Sequence, residues 1–200
     1  STTRTERLRI KSNGIVMTGP QPTTYTDPSW KRKSGWINGA RMTAFRCIST
    51  TLPVGTLVEP HGVSFGVKAT VANSDRAIGA VFANVSGSGA ACTPGKYCWV
   101  VDSGVVDVLI KNSTACSAGV DIAIVSDTAG RAICSASPDA AVSHWREVGH
   151  SVESHAGGTD VLLPIAIHFN SIGIYGVGFW QWRRKREYWA KILGRCDDGK

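Results

Sequence analysis

The stretch Tyr97-Cys98-Trp99-Val100-Val101-Asp102-Ser103-Gly104-Val105-Val106-Asp107-Val108-Leu109-Ile110 holds two apolar, valine-rich runs on either side of Ser103-Gly104. Branched and aromatic residues favour a pleated surface, and a glycine-containing pair between two such runs is the chemistry of a tight turn, so a hairpin is expected here. The same rhythm continues outward to Asn170. Ile122 to Val125, Val148 to Val152 and Val161 to Ile167 each have strand length and are bounded by Gly, Asp, Ser or Pro. Upstream, Pro53-Val54-Gly55-Thr56-Leu57-Val58 leads into a short strand, Val63 to Val71 follows, and Asp75 to Phe82 returns. Ser86-Gly87-Ser88-Gly89-Ala90 offers little to pack and reads as a flexible tip. The expected fold is mainly β, a small antiparallel β-barrel or β-sandwich over residues 47–170.

Two hundred residues, 42% of them hydrophobic, suffice for one substantial core with chain left over. The net charge of +7 is unevenly placed: residues 1–46 carry +7, residues 47–170 carry −4 and residues 171–200 carry +4. A mildly acidic body between two basic ends suggests terminal interaction segments, the alternative being that the charges only solubilise. Thr2 to Asn13 is polar and basic, so export by a cleavable signal is not expected.

Residues 1–46 read as an extended basic N-terminal arm. Pro20, Pro22 and Pro28 disfavour regular structure, and only Ile15-Val16-Met17 and Met42 to Ile48 suggest strand-like anchoring. Within the arm, Trp30, Lys31, Arg32, Lys33 and Trp36 form a cationic aromatic patch suited to phosphates or to an acidic protein surface. The competing expectation is that both tryptophans pack on their own domain. At the other end, Ile172 to Gly178 is apolar, but Pro164, His168, Asn170, Ser171 and several glycines interrupt the run, so a membrane span is not expected. A Gly-rich connector is expected there. Phe179 to Leu193 then has the spacing of a short amphipathic C-terminal helix, with Gly194 as its stop. On it, Trp180, Trp182, Arg183, Arg184, Lys185, Arg186 and Trp189 join cation density to aromatic area and are the second set of expected partner-binding residues.

The six cysteines form no C-x-x-C pair, and zinc modules need closely spaced ligands, so no metal or other cofactor is expected. Cys98, Cys116 and Cys134 read as small buried residues. A Cys92–Cys98 disulfide fits across a turn, although a protein assembled inside a cell keeps its thiols reduced. His144, His150 and His155 are close in sequence, but spacings of six and five do not share a face of a regular element. No G-x-S-x-G, H-E-x-x-H or phosphate-binding glycine loop occurs, and an enzyme is not expected.

The succession Gly104-Val105-Val106-Asp107-Val108, Ala118-Gly119-Val120-Asp121-Ile122, Ser126-Asp127-Thr128-Ala129-Gly130-Arg131-Ala132, Glu147-Val148-Gly149-His150-Ser151-Val152 and Gly158-Thr159-Asp160-Val161-Leu162-Leu163 resembles small capsid decoration, or cement, proteins of tailed bacteriophages. The resemblance implies a β-domain on the outside of a capsid. The expected function is a structural virion protein, made in the host cytoplasm, that binds the major capsid protein and neighbouring copies of itself and stabilises the lattice by bridging its subunits. Basic arms fit that role, since several weak contacts on one chain add up. The other expectations are a nucleic-acid-binding protein using the same basic aromatic ends, or a minor head-to-tail joining or tail protein.

Overall fold

A computed structural model of the chain describes residues 8–10, 15–18, 24, 26–31, 33–85, 91–112, 115–136 and 146–168. Among these the fold is almost entirely β. The strands are β1 (Leu8–Ile10), β2 (Val16–Thr18), β3 (Ser34–Ile37), β4 (Ala40–Cys47), β5 (Leu57–Pro60), β6 (Gly66–Ala69), β7 (Gly79–Asn84), β8 (Tyr97–Ile110), β9 (Ile122–Val125), β10 (Ala132–Ser135), β11 (Glu147–Ser151) and β12 (Val161–His168). A 3-10 turn, Pro28–Trp30, precedes β3.

The expected hairpin at Ser103-Gly104 is not formed. Tyr97 to Ile110 is one strand of 14 residues that runs through Gly104, whose φ is +103°. Its two halves pair with other strands instead of with each other. Tyr97 to Ser103 lies antiparallel to β4 and, over Cys98 to Val101, to β7, while Ser103 to Ile110 lies antiparallel to β12. Ser-Gly suits a bulge as well as a turn, and here an extra residue, Asp102, is accommodated between the pairs Arg41↔Ser103 and Met42↔Val101.

This long strand joins two closed rings. In the first, β4, β6, β5, β7 and β8 pair in that order back to β4, closing a five-stranded barrel; the β4–β6 pairing is parallel and the others antiparallel. In the second, β8, β10, β9, β11 and β12 pair back to β8, the β10–β8 closure being parallel through Ala132↔Ile110 and the Lys111 N–H to Ala132 C=O bond of 2.9 Å. Closure leaves these strands with few unpaired edges. The buried residues follow the rings. Cys47, Val58, Val67, Val81, Cys98 and Val100, drawn from all five strands of the first, form one cluster. Val108, Ala123, Val125, Ala132, Val148, Leu163 and Ile165 fill the second, in a larger cluster that also takes Met42, Ala44, Trp99 and Val101 from the first ring's outer face. Side chains alternate along a strand, so the larger core uses odd positions before the bulge (Tyr97, Trp99, Val101) and even ones after it (Val106, Val108, Ile110).

The N-terminal segment is not an extended arm where it is described. β1 to β4 form an antiparallel meander, and Ile15, Met17, Trp30 and Met42 are fully buried or nearly so. The apolar residues expected only to anchor an arm find cross-strand partners and join the core, and the boundary expected at 46/47 falls inside β4. The expected C-terminal helix, within residues 171–200, lies outside the described residues. No helix among those described is long and apolar enough to cross a membrane.

Two disulfides replace the reduced thiols expected from the sequence. Cys92 bonds Cys98 with Cα atoms 5.6 Å apart, and Cys116 bonds Cys134 at 5.3 Å. The second could not be read from spacing, because Cys134 lies on β10 while Cys116 precedes β9 in a bridge to His155, and only the folded sheet brings the two together. Cys47 is free and buried, with its thiol directed at the Thr50 C=O at 3.0 Å, and burial pushes that thiol's pKa up.

In the first barrel, Glu59 is buried and accepts hydrogen bonds from Ser74 Oγ, from the Val71 N–H at 3.4 Å and from Lys68 Nζ at 3.1 Å. Burial alone would raise the carboxyl, but the bonds from Ser74, Lys68 and Val71, with the Lys68 charge, outweigh it and hold the pKa below its ordinary value. With a lowered folded pKa, the stabilisation is complete above the unfolded value of about 4.3 and is lost as pH falls through the folded one. Glu59→Gln is therefore expected to flatten the acid limb of urea midpoints measured from about pH 7 to pH 3. An acid limb of unchanged slope would place the sensitivity in other carboxylates.

Candidate functional site

The cationic aromatic patch expected at residues 30–36 is divided by the fold. Trp30 ends the 3-10 turn, whose first residue is Pro28 and whose cap, Asp27, accepts the Ser29 N–H at 2.8 Å. The Trp30 indole N–H donates to the Thr24 C=O at 2.8 Å, and its ring meets Trp99 edge-on with centroids 5.7 Å apart. Trp30 is thus a core residue and presents no surface for docking. Lys31 is exposed and Lys33 half-buried; Arg32 lies outside the described residues. Trp36 behaves differently. β3 alternates, with Gly35 inward and Trp36 outward, leaving this large aromatic 43% exposed. Trp180, Trp182, Arg183, Arg184, Lys185, Arg186 and Trp189 all lie outside the described residues.

Strand register shows what surrounds Trp36. Residues directly opposite in a pleated sheet share a face. Trp36 pairs with Val16 on β2 and with Arg41 on β4; Arg41 pairs with Ser103 on β8; Ser103 pairs with His168 on β12. A row of side chains therefore crosses five strands on one outer surface. Trp36, Arg41, Ser103 and His168 are all exposed. Arg41 is held in place by Asp102, its Nε lying 2.7 Å from Oδ1. Two residues along the same face, Val105 is exposed and pairs with Ala166, which in turn pairs with His150 on β11. Beside Val105, a cleft of about 200 Å³ is lined by Ile37, Asn38, Ala40 and Phe82.

At the β11–β12 end of this face, His150 and His168 are diagonal neighbours with ring centroids 4.7 Å apart. Ordinary alternation would turn Glu147 to the other side from His150. The register shift between Glu147 and Gly149, where β11 meets β9, changes that parity. The buried Glu147 carboxylate consequently faces both rings, with Oε1 3.7 Å from His150 Nε2 and 3.4 Å from His168 Nε2.

Of the sequence-expected residues, the described surface keeps Lys31, Lys33 and Trp36 and adds Arg41, Ser103, Val105, Glu147, His150 and His168. No local motif marks the added residues. Their proximity is a property of register between strands far apart in the chain. An aromatic beside a fixed guanidinium, bordered by a small aliphatic patch and a recess, is suited to burying area against another macromolecule. Neither a protein-family model nor a curated protein matches this sequence.

Proposed function

We propose that this chain is a structural virion protein that docks on the outside of a capsid and stabilises it by bridging major capsid protein subunits, with no catalytic role. The observation that carries this reading is the exposed Trp36–Arg41 pair on a rigid, doubly closed β body. Trp and Arg are the residues that most often dominate protein–protein binding energy, and a body with two closed rings and two disulfides loses little conformational freedom when it binds. The segments that resemble decoration proteins also keep company. All five contribute to or border strands of the second ring, which supports reading them as parts of one module.

The test uses capsids of the cognate virus stripped of this protein and then re-supplied with it. Trp36→Ala is expected to reduce retention by about tenfold or more, the loss of at least 1.4 kcal/mol typical of a central aromatic anchor. As an exposed substitution it should leave the unfolding free energy within about 0.5 kcal/mol. Retention unaffected by both Trp36→Ala and Arg41→Ala would sink this docking face. Tight binding to duplex DNA that weakens steeply with salt would instead favour the nucleic-acid reading.

A further inference from the structure

The geometry points to a divalent transition-metal site, of the kind that takes Zn²⁺, formed by Glu147, His150 and His168. Three observations carry it, none of which depends on capsid binding. First, the donor set is two imidazole nitrogens and one carboxylate oxygen, the N/O combination that zinc accepts and that hard cations such as Mg²⁺ do not prefer. Second, one potential donor atom from each residue lies within 4.8 Å of the others. Third, the separations have the right scale. Two ligands each bonded to zinc at 2.0–2.1 Å in tetrahedral geometry stand about 3.4 Å apart. The Nε2 atoms of His168 and His150 are 3.4 and 3.7 Å from the shared Glu147 Oε1, longer than an ordinary N–H···O hydrogen bond.

The backbone brings the three residues together, and rotation of the half-exposed imidazoles is the adjustment needed to close donor atoms that lie within 4.8 Å of one another onto one ion. His150 and His168 are set on one face by the antiparallel register Gly149↔Ile167 and His150↔Ala166, and Glu147 is brought round by the bulge and kept there by burial. Both imidazoles are about half exposed, so an ion reaches them from solvent, and positions beyond the three protein ligands are open to water. The sequence concealed the site because a separation of 18 residues between His150 and His168 matches no helical or zinc-module spacing.

The experiment is a titration of the full chain, freed of metal with EDTA, with ZnCl₂ followed by calorimetry and with CoCl₂ followed by visible absorption. One equivalent of Zn²⁺ per chain is expected, a Co²⁺ spectrum of four- or five-coordinate type, and no comparable uptake of Mg²⁺. With Zn²⁺ at about 100 times its Kd, Tm should rise by about 5–10 °C. His150→Ala and His168→Ala should each weaken uptake by at least about tenfold, since even the loss of an outer partner to a ligand costs that much. Because both side chains are half exposed, the metal-free variants should melt close to the parent, which separates loss of the site from loss of the fold. Absence of uptake by the parent would leave the cluster as a set of polar side-chain contacts and overturn the proposal. Uptake of equal strength by the His150→Ala/His168→Ala double variant would overturn it too, by placing the ion elsewhere.

Discussion

Gly104→Val is expected to lower the unfolding free energy by about 2–5 kcal/mol, a large share of the roughly 5–15 kcal/mol that holds an ordinary domain folded. Two effects add. At φ +103° the backbone occupies a region that L side chains rarely enter, and a branched side chain least of all. A Cβ at this position would also stand 2.6 Å from Ala40 Cα and 2.9 Å from Ala40 Cβ. Ala40 cannot step aside easily, because it opens β4 directly after the Asn38-Gly39 turn, both of whose residues have positive φ, and it is itself buried. The position matters more than its neighbours because β8 changes partners and side-chain parity here, so strain at Gly104 is felt by both rings. The check is a urea or guanidinium transition for the variant beside the parent. A midpoint within experimental error of the parent's would show that the rings do not depend on this close approach.

Trp99→Ala is expected to cost about 3–5 kcal/mol, through lost burial together with the cavity left behind. Trp99 is fully buried where the outer face of the first barrel meets the larger core, and its ring is the partner of Trp30. Trp99→Phe should cost clearly less. It keeps most of the ring area, and the Trp99 indole N–H has no hydrogen-bond partner among the described residues to lose. Denaturant unfolding with tryptophan fluorescence would rank the three proteins. Equal losses for alanine and phenylalanine would mean that the ring's shape and edge contact, rather than its buried area, set the energy.

Strand by strand, much of the body was legible. Leu57–Pro60, Gly79–Asn84, Ile122–Val125, Glu147–Ser151 and Val161–His168 lie where valine- and isoleucine-rich runs bounded by turn residues predict them. The N-terminal anchors Ile15-Val16-Met17 and Met42 to Ile48 were also visible as apolar runs, but their membership of the sheet was not. A strand needs a partner, and nothing local shows that Met17 will face Gly35 and that Met42 will lie opposite Val101. Trp30 and Trp36 make the same point at the candidate site. They are six residues apart in one cationic patch, yet a 3-10 turn carries Trp30 into the core while strand alternation turns Trp36 outward.

By itself the sequence determined that the chain is mainly β, approximately where its central strands lie, and that charge is concentrated towards its ends. These follow from short-range physics: side-chain branching, glycine and proline conformations, and the count of ionised groups. Tertiary structure alone decided that Ser103-Gly104 is a bend in one long strand, that Cys116 pairs with Cys134, and that Glu147, His150 and His168 converge. Each of these depends on register between strands distant in the chain. Moving a strand by a single residue reverses which side chains face one another, and register is set by the packing of both rings together, which no local window of sequence contains.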